Sequence, residues 1–265
     1  MEVIHRDALL NVRLKAVVFD FDGTISTLRQ GWEQVMKPLM LEMIDPNYDE
    51  ELEQMVEQYI DESTGIQTIY QMQWLKETAK RIGKNMGDHD EWWYKDEYNR
   101  RLMQQVRVRL EDLSAGRQRP KNFMIAGSKE FLERLNLNNI DIYIASGTDE
   151  SDVIHEVDAL GLTKYMTAVA GAPYKKIGCS KESVINDLLQ KKDHQNQTLM
   201  IAGDGKVEIA LGKKVGALTL GVASDEIRLT GINAVKRQKL IKAGADIIIG
   251  DFSDSESLAE CLYLK

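Results

Sequence analysis

Short apolar runs rich in β-branched residues alternate along this chain with longer stretches in which apolar residues recur every three or four positions. The run KAVVFD, Lys15 to Asp20, is apolar on both faces, which predicts a central parallel strand rather than an edge. Runs of the same texture follow at Asp141 to Ser146, Thr198 to Asp204, Ala217 to Val222 and Ala245 to Asp251. Between them, Val153, Ile154, Val157 and Leu160 have the spacing of a helix with one buried face, as do Val184, Ile185, Leu188 and Leu189. Strand and helix in alternation predict a doubly wound, mostly parallel α/β sheet.

From about Leu28 to Pro120 the pattern changes, and no convincing strand remains. Trp32, Val35, Met36, Leu39, Met40 and Met43 fall at helical spacing. Segments Leu52 to Ile60, Ile66 to Ile82 and Trp92 to Leu113 repeat it, with Gly65, Gly83 and Gly87 between them or at their ends. The pattern predicts an insertion of about four helices. It holds all four tryptophans (Trp32, Trp74, Trp92, Trp93) and seven of the eleven methionines (Met36, Met40, Met43, Met55, Met72, Met86, Met103). Most of these are expected in the core of a small bundle, with a minority facing a ligand.

The length of 265 residues suits one domain with a substantial insertion. A net charge of −8 disfavours a nucleic-acid partner. Only Cys179 and Cys261 are present, far apart, which excludes a disulfide scaffold and suits a reducing compartment. The first residues carry Glu2, Arg6 and Asp7 where a signal peptide would be apolar, and no run approaches a membrane-spanning length. A cytoplasmic location and no membrane partner are therefore expected, and the sequon at Asn196, Gln197, Thr198 is read as chance. The Lys191, Lys192 pair is read as a solvated helix end. His5, His89, His155 and His194 are scattered and expected to be structural or exposed.

Candidate chemistry gathers where apolar runs end. Asp20, Phe21, Asp22, Gly23, Thr24 places two carboxylates two residues apart at the exit of the first predicted strand, where open α/β sheets bind ligands. An Asp-Gly turn explains the letters blandly, but two crowded acids call for a cation or a shared proton. The next strand ends in Ala145, Ser146, Gly147, Thr148, Asp149, where a hydroxyl and free backbone N–H groups suit an anion. Capping by Ser146, Thr148 or Asp149 explains the same residues. A third run ends in Gly203, Asp204, Gly205, Lys206, Val207, Glu208, again a carboxylate at a strand end with a second one turn later. Oxygen ligands collected from several strand ends suit Mg²⁺, while a plain Asp-Gly turn before a helix with an early Glu is the ordinary alternative. Lys181 stands in the first turn of a predicted helix, where a cation opposes the helix dipole without local gain. That singles it out over Lys175 and Lys176, and suggests that its removal would cost little stability.

DFDGT at Asp20, SGT at Ser146, Lys181 and GDGKVE at Gly203 resemble, in order, the four motifs of the haloacid dehalogenase superfamily of hydrolases. The resemblance is to its phosphoglycolate-phosphatase-like members, with a helical cap inserted after the first strand. It implies a Rossmann-like catalytic core at 1–27 and 121–265 and an all-helical cap domain at 28–120. It implies a phosphatase of a small phosphorylated metabolite, with Asp20 as the nucleophile that becomes phosphorylated and Asp22 as general acid and then base. Mg²⁺ would be held by Asp20, the Asp22 main chain and Asp204, with Glu208 binding it or orienting its waters. Gly23, Thr24, Ser146, Gly147, Thr148 and Lys181 would bind the phosphoryl group. Two features depart from the family pattern: the last acid is Glu208 where Asp is usual, and 223–243, with Arg228, Lys236 and Arg237, exceeds what the core requires. An acid at Asp22 argues for phosphoryl transfer over dehalogenation. A sugar-phosphate mutase remains open, as does a phosphonate hydrolase using a cap lysine among Lys37, Lys76, Lys80 and Lys84. A non-catalytic phosphate-binding or signalling protein is a further alternative.

Overall fold

The computed structural model describes residues 1–10, 12–82, 89–178, 180–190 and 198–264. Gly83, Lys84, Met86, Gly87, Cys179, Lys191, Lys192, His194, Asn196 and Gln197, singled out above, lie outside the described residues. Within them one sheet holds seven strands: β1 (Glu2–Val3), β2 (Ala16–Phe19), β3 (Asp141–Asp149), β4 (Ala168–Ala172), β5 (Leu199–Gly203), β6 (Leu218–Val222) and β7 (Ile247–Ile249). Their order is β1-β7-β6-β5-β2-β3-β4, parallel throughout except where β1 pairs with β7.

The five runs legible in the sequence became β2, β3, β5, β6 and β7, and the two strands it did not reveal are the edges. β1 is two residues long, and β4 (AVAGA) has neither bulk nor full burial, so neither leaves an apolar run to read. The inner strands are buried on both faces, and their side chains divide by alternation. Val17, Phe19, Ile142, Ile144, Met200 and Ala202 join one core layer, whereas Ala16, Val18, Tyr143, Leu199 and Ile201 join the other. Helices α5 (Ser128–Leu137), α6 (Glu150–Ala159) and α10 (Ser255–Cys261) cover the first face through Phe131, Leu132, Val153, Val157 and Leu258. Helices α7 (Ser180–Gln190), α8 (Lys206–Val215) and α9 (Ala234–Ala243) cover the second through Ile185, Leu188, Ile209 and Leu240. This is the doubly wound architecture expected.

From β2 the chain proceeds to β3 and β4 on one side, then crosses back by α7 to β5 on the other. The winding direction therefore reverses between β2 and β5, and the crevice at their carboxyl ends is where such sheets bind ligands.

The described residues between 33 and 114 include α1 (Glu33–Ile44), α2 (Glu50–Glu62), α3 (Thr68–Ile82) and α4 (Glu91–Ser114). Asp49 and Asp90 cap α2 and α4, accepting hydrogen bonds from Leu52 N (2.9 Å) and Trp93 N (2.8 Å). The four helices close around their own core of Met36, Leu39, Met40, Val56, Met72 and Leu75, with Tyr94, Tyr98 and Leu102 from α4. The tryptophans are not its centre. Trp74 stacks on Tyr59, Trp93 stacks on His89 near the surface, and Trp32 faces the crevice described next. Methionine and leucine filled the narrow interior, which leaves large indoles at its margins.

Candidate active site

β2 ends at Phe19, and the next residue, Asp20, is already buried, its N–H bonded to the Ala202 carbonyl of β5 at 2.8 Å. The chain then turns tightly through Phe21 to Ser26, with Gly23 at φ +72°. A Cβ on Gly23 would stand 2.3 Å from Asp204 Oδ2, so only glycine lets the turn approach that carboxylate. Asp204 follows directly on β5. Gly203 before it leaves room for Glu208, whose Cγ would lie 2.4 Å from a Cβ there. Strand ends and glycines together thus bring Asp20, Asp22 and Asp204 into one crevice, with Glu208 buried just behind it.

Lys181 reaches them from the first turn of α7. Its Nζ lies 2.9 Å from Asp20 Oδ1, bonds Glu208 Oε1, and donates to the Gly65 carbonyl at 3.2 Å. Lys175 and Lys176, by contrast, are exposed. Burial pulls the Lys181 pKa down, but Asp20 and Glu208 more than reverse this, so the ammonium is retained. Burial pushes the Asp20 carboxyl well up, Lys181 pulls it down, and Glu208 and Asp204 push it up again.

Asp22 accepts a hydrogen bond from Thr148 Oγ1 at 2.9 Å, and the Thr148 N–H is held by Ser146 Oγ at 3.0 Å. Burial raises the Asp22 pKa, against the Arg29 charge and the Thr148 bond. Ser146, Gly147 and Thr148 line a cavity of about 100 Å³ with Asp20, Asp22 and Lys181. Thr24 does not, contrary to the expectation that it meets the phosphoryl group. It is wholly buried beneath the turn, because the tight bend that aims Asp22 at the crevice folds Thr24 inward.

Opposite these residues the cavity wall is helical-segment chain: Arg29 and Trp32 before α1, Thr64 to Ile66 between α2 and α3, Gln71 of α3, and Tyr98 and Leu102 of α4. Arg29 is almost fully buried, its Nε and Nη2 bonded to Glu156 Oε1 (2.9 and 2.7 Å) and Nη2 to Asp152 Oδ2 (3.1 Å). Arg29, Gln71 and Tyr98 carry no signal in the sequence, since nothing in their spacing sets them apart from surface positions. Glu226 and Ser224 carry none either. Lys236, noted only as part of a surplus segment, stands 2.6 Å from Asp204 Oδ2 and 2.7 Å from Glu226 Oε1.

The five carboxylates of Asp20, Asp22, Asp204, Glu226 and Glu208 outnumber the cations Lys181, Lys236 and Arg29, and Arg29 is itself paired with Glu156 and Asp152. Asp22 Oδ1 and Glu208 Oε2 are buried with no hydrogen-bond partner. Excess negative charge with orphaned hard oxygen donors fits Mg²⁺. Among the described residues no three His, Cys, Asp or Glu side chains form a ready-made cage. Mg²⁺ uses one or two carboxylates with waters and substrate oxygens, so that arrangement agrees with it.

A doubly wound sheet with acidic strand ends at its switch point, a buried lysine and a helical roof defines a hydrolase architecture of recognisable type. The model of the haloacid dehalogenase-like hydrolases matches residues 14–216, and the chain belongs to that family. No curated protein matches the sequence significantly. Among solved structures, the chain is similar to a β-phosphoglucomutase from Clostridium difficile, at 16% identity over 95% of this chain and 98% of that one, with a TM-score of 0.64. A predicted phosphoglycolate phosphatase from Haemophilus somnus 129PT follows at 17% identity, 93% and 98% coverage and a TM-score of 0.63. A predicted phosphatase from Clostridium acetobutylicum shows 16% identity, 93% and 99% coverage and a TM-score of 0.62. At such identities these likenesses establish the shared fold. No described helix is long and apolar enough to cross a membrane.

Proposed function

We propose that the protein is a Mg²⁺-dependent phosphatase of a small phosphorylated metabolite, acting through a phosphoaspartyl intermediate on Asp20. The observation that carries this reading is the Asp20 carboxylate held 2.9 Å from Lys181 at the switch point, with Asp22 beside it and a cavity above. In this reading 1–27 and 121–265 are the catalytic core and 28–120 is the cap, whose Thr64 to Ile66 loop and α4 roof the cavity.

Asp20 attacks phosphorus as the bond to the leaving oxygen breaks. Asp22, whose burial favours its protonated form, delivers a proton to that oxygen. Asp22 then takes a proton from water as the water attacks phosphorus, the Asp20–phosphorus bond breaks and inorganic phosphate leaves. Lys181, the Ser146 hydroxyl and the main chain of Gly147 and Thr148 neutralise and orient the transferring oxygens. Asp20, the Asp22 main-chain carbonyl and Asp204 would hold Mg²⁺, with Glu208 behind them, and the ion supplies charge neutralisation to the phosphoryl oxygens.

Hydrolysis of a panel of sugar, polyol, nucleotide and acid phosphates, with Mg²⁺ and with chelator, tests the reading. Asp20→Asn is expected to abolish turnover and acid-stable phosphoenzyme while the protein stays folded. A fully active Asp20→Asn variant refutes the mechanism.

A further inference from the structure

The residues after β6 do more than close the fold. Ser224 Oγ donates to the Gly23 carbonyl, and Lys236, in the first turn of α9, places its Nζ on Asp204 Oδ2 (2.6 Å), Glu226 Oε1 (2.7 Å) and Ser224 Oγ (3.2 Å). The β2 turn, the β5 end, the β6 loop and α9 are thereby tied at one ammonium. A cation in the first turn of a helix opposes its dipole, and α9 has no acidic residue there to offset it. Burial pulls the Lys236 pKa down, and Asp204 and Glu226 restore the charge. Lys236 also lines a second cleft of about 300 Å³, to which Trp32, Asp204 and Glu226 contribute as they do to the first cavity. Its aliphatic stem therefore has open space into which the head can swing.

Asp204 Oδ2 cannot serve an ammonium at 2.6 Å and a divalent cation together, because two cations on one oxygen repel strongly in a partly buried site. Glu226 Oε1, already in contact with the same ammonium, is the place to which it can retreat. We propose that Lys236 is an internal competitor at the divalent-cation site: its ammonium holds the Asp204 carboxylate in position and passes to Glu226 when the ion binds. This inference rests on the metal site of the proposed function. It makes Lys236 and Glu226 positioning residues of opposite sign, and gives the surplus segment at 223–243 a purpose in setting how tightly the cation is held.

Calorimetric titration of the full chain with Mg²⁺ alone tests it, without turnover. Lys236→Met is expected to bind Mg²⁺ on the order of tenfold more tightly than the wild type. Lys236→Arg, which keeps the competing charge, should stay close to wild type. Glu226→Gln should bind several times more weakly, roughly threefold or more, since the ammonium loses its refuge and the site loses a negative charge. A merely structural salt bridge predicts weaker binding for both Lys236→Met and Glu226→Gln. Should Lys236→Met fail to fold, Lys236→Gln retains a donor for Asp204 and carries the same expectation. Asp204→Ala separates the two levels of the argument. If it abolishes binding while Lys236→Met and Lys236→Gln bind no tighter than wild type, the competitor inference is overturned and the metal site stands. If Asp204→Ala binds as wild type does, the metal site itself is misplaced and the inference falls with it.

Discussion

Arg29 and Glu156 offer a sharp test of how the helical segment is joined to the sheet. Arg29 lies between β2 and α1, Glu156 lies on α6, and Glu156 has no exposed surface. The guanidinium meets Glu156 Oε1 through two hydrogen bonds of 2.7 and 2.9 Å, and Glu156 Oε2 has no partner at all. Replacing Arg29 with Met leaves a fully buried carboxylate with no compensating charge, a change that costs about 3–5 kcal/mol when the charge must stay. The carboxyl can instead take a proton. Burial already pushes Glu156 up to about 7, with Arg29 pulling against it. In the unfolded chain its pKa is about 4.3, so the folded state binds the proton more tightly and stability falls as pH rises between those values. Without Arg29 the folded pKa rises further, and the loss extends to higher pH. At pH 6 Glu156 is already mostly protonated in the wild type, so the charge-related loss on removing Arg29 is small, below about 0.5 kcal/mol. At pH 8 the wild-type carboxylate is mostly ionised and the variant's must stay protonated, a loss of about 1.4 kcal/mol for the one pH unit above about 7. Urea unfolding of Arg29→Met, Glu156→Met and the double variant at both pH values measures this as a double-mutant cycle. The double variant should recover most of the loss, because two apolar side chains replace the pair. A loss no larger at pH 8 than at pH 6 rules out a buried, proton-linked Glu156 as the cause.

Lys181→Met should lower kcat/KM by about a hundredfold or more, the scale of losing one donor to a developing charge. It should also destabilise the fold, by about 3 kcal/mol at pH 8, because Asp20 and Glu208 are left buried together. The helix dipole at Lys181, taken alone, predicts almost no loss, so thermal unfolding of this variant decides between the two. Gly23→Ala places a methyl 2.3 Å from Asp204 Oδ2 at φ +72°. We expect about 1–2 kcal/mol of lost stability from the left-handed backbone. The displaced Asp204 should further cost on the order of a hundredfold in kcat/KM, and unchanged Mg²⁺ affinity in calorimetry would show that Asp204 had not been moved.

Much of the architecture was legible in the chain because the physical cause is local. Two-faced apolar runs such as Ala16 to Phe19 can be buried only at the centre of a sheet, so the inner strands announced themselves. The half-buried edge β4, made of alanine and glycine, carries no comparable signal. Helical periodicity between Trp32 and Leu113 likewise revealed four helices, since a bundle requires one apolar stripe from each. Asp20 and Asp204 were readable as site residues because they follow such strands immediately, Ser146 because it ends the apolar run of β3, and Lys181 because it breaks a rule of helix termini. Tertiary structure alone decided which partners these groups meet. Lys181 proved to be a buried bridge between Asp20 and Glu208, Thr24 turned inward, and Arg29, Tyr98, Glu226 and Lys236 came to the crevice from segments with no local signature. Charge pairing acts between side chains as far apart in the chain as Arg29 and Glu156, or Asp204 and Lys236. Spacing along the chain records which residues share a face; only the folded arrangement brings opposite charges within 3 Å, where burial makes them count.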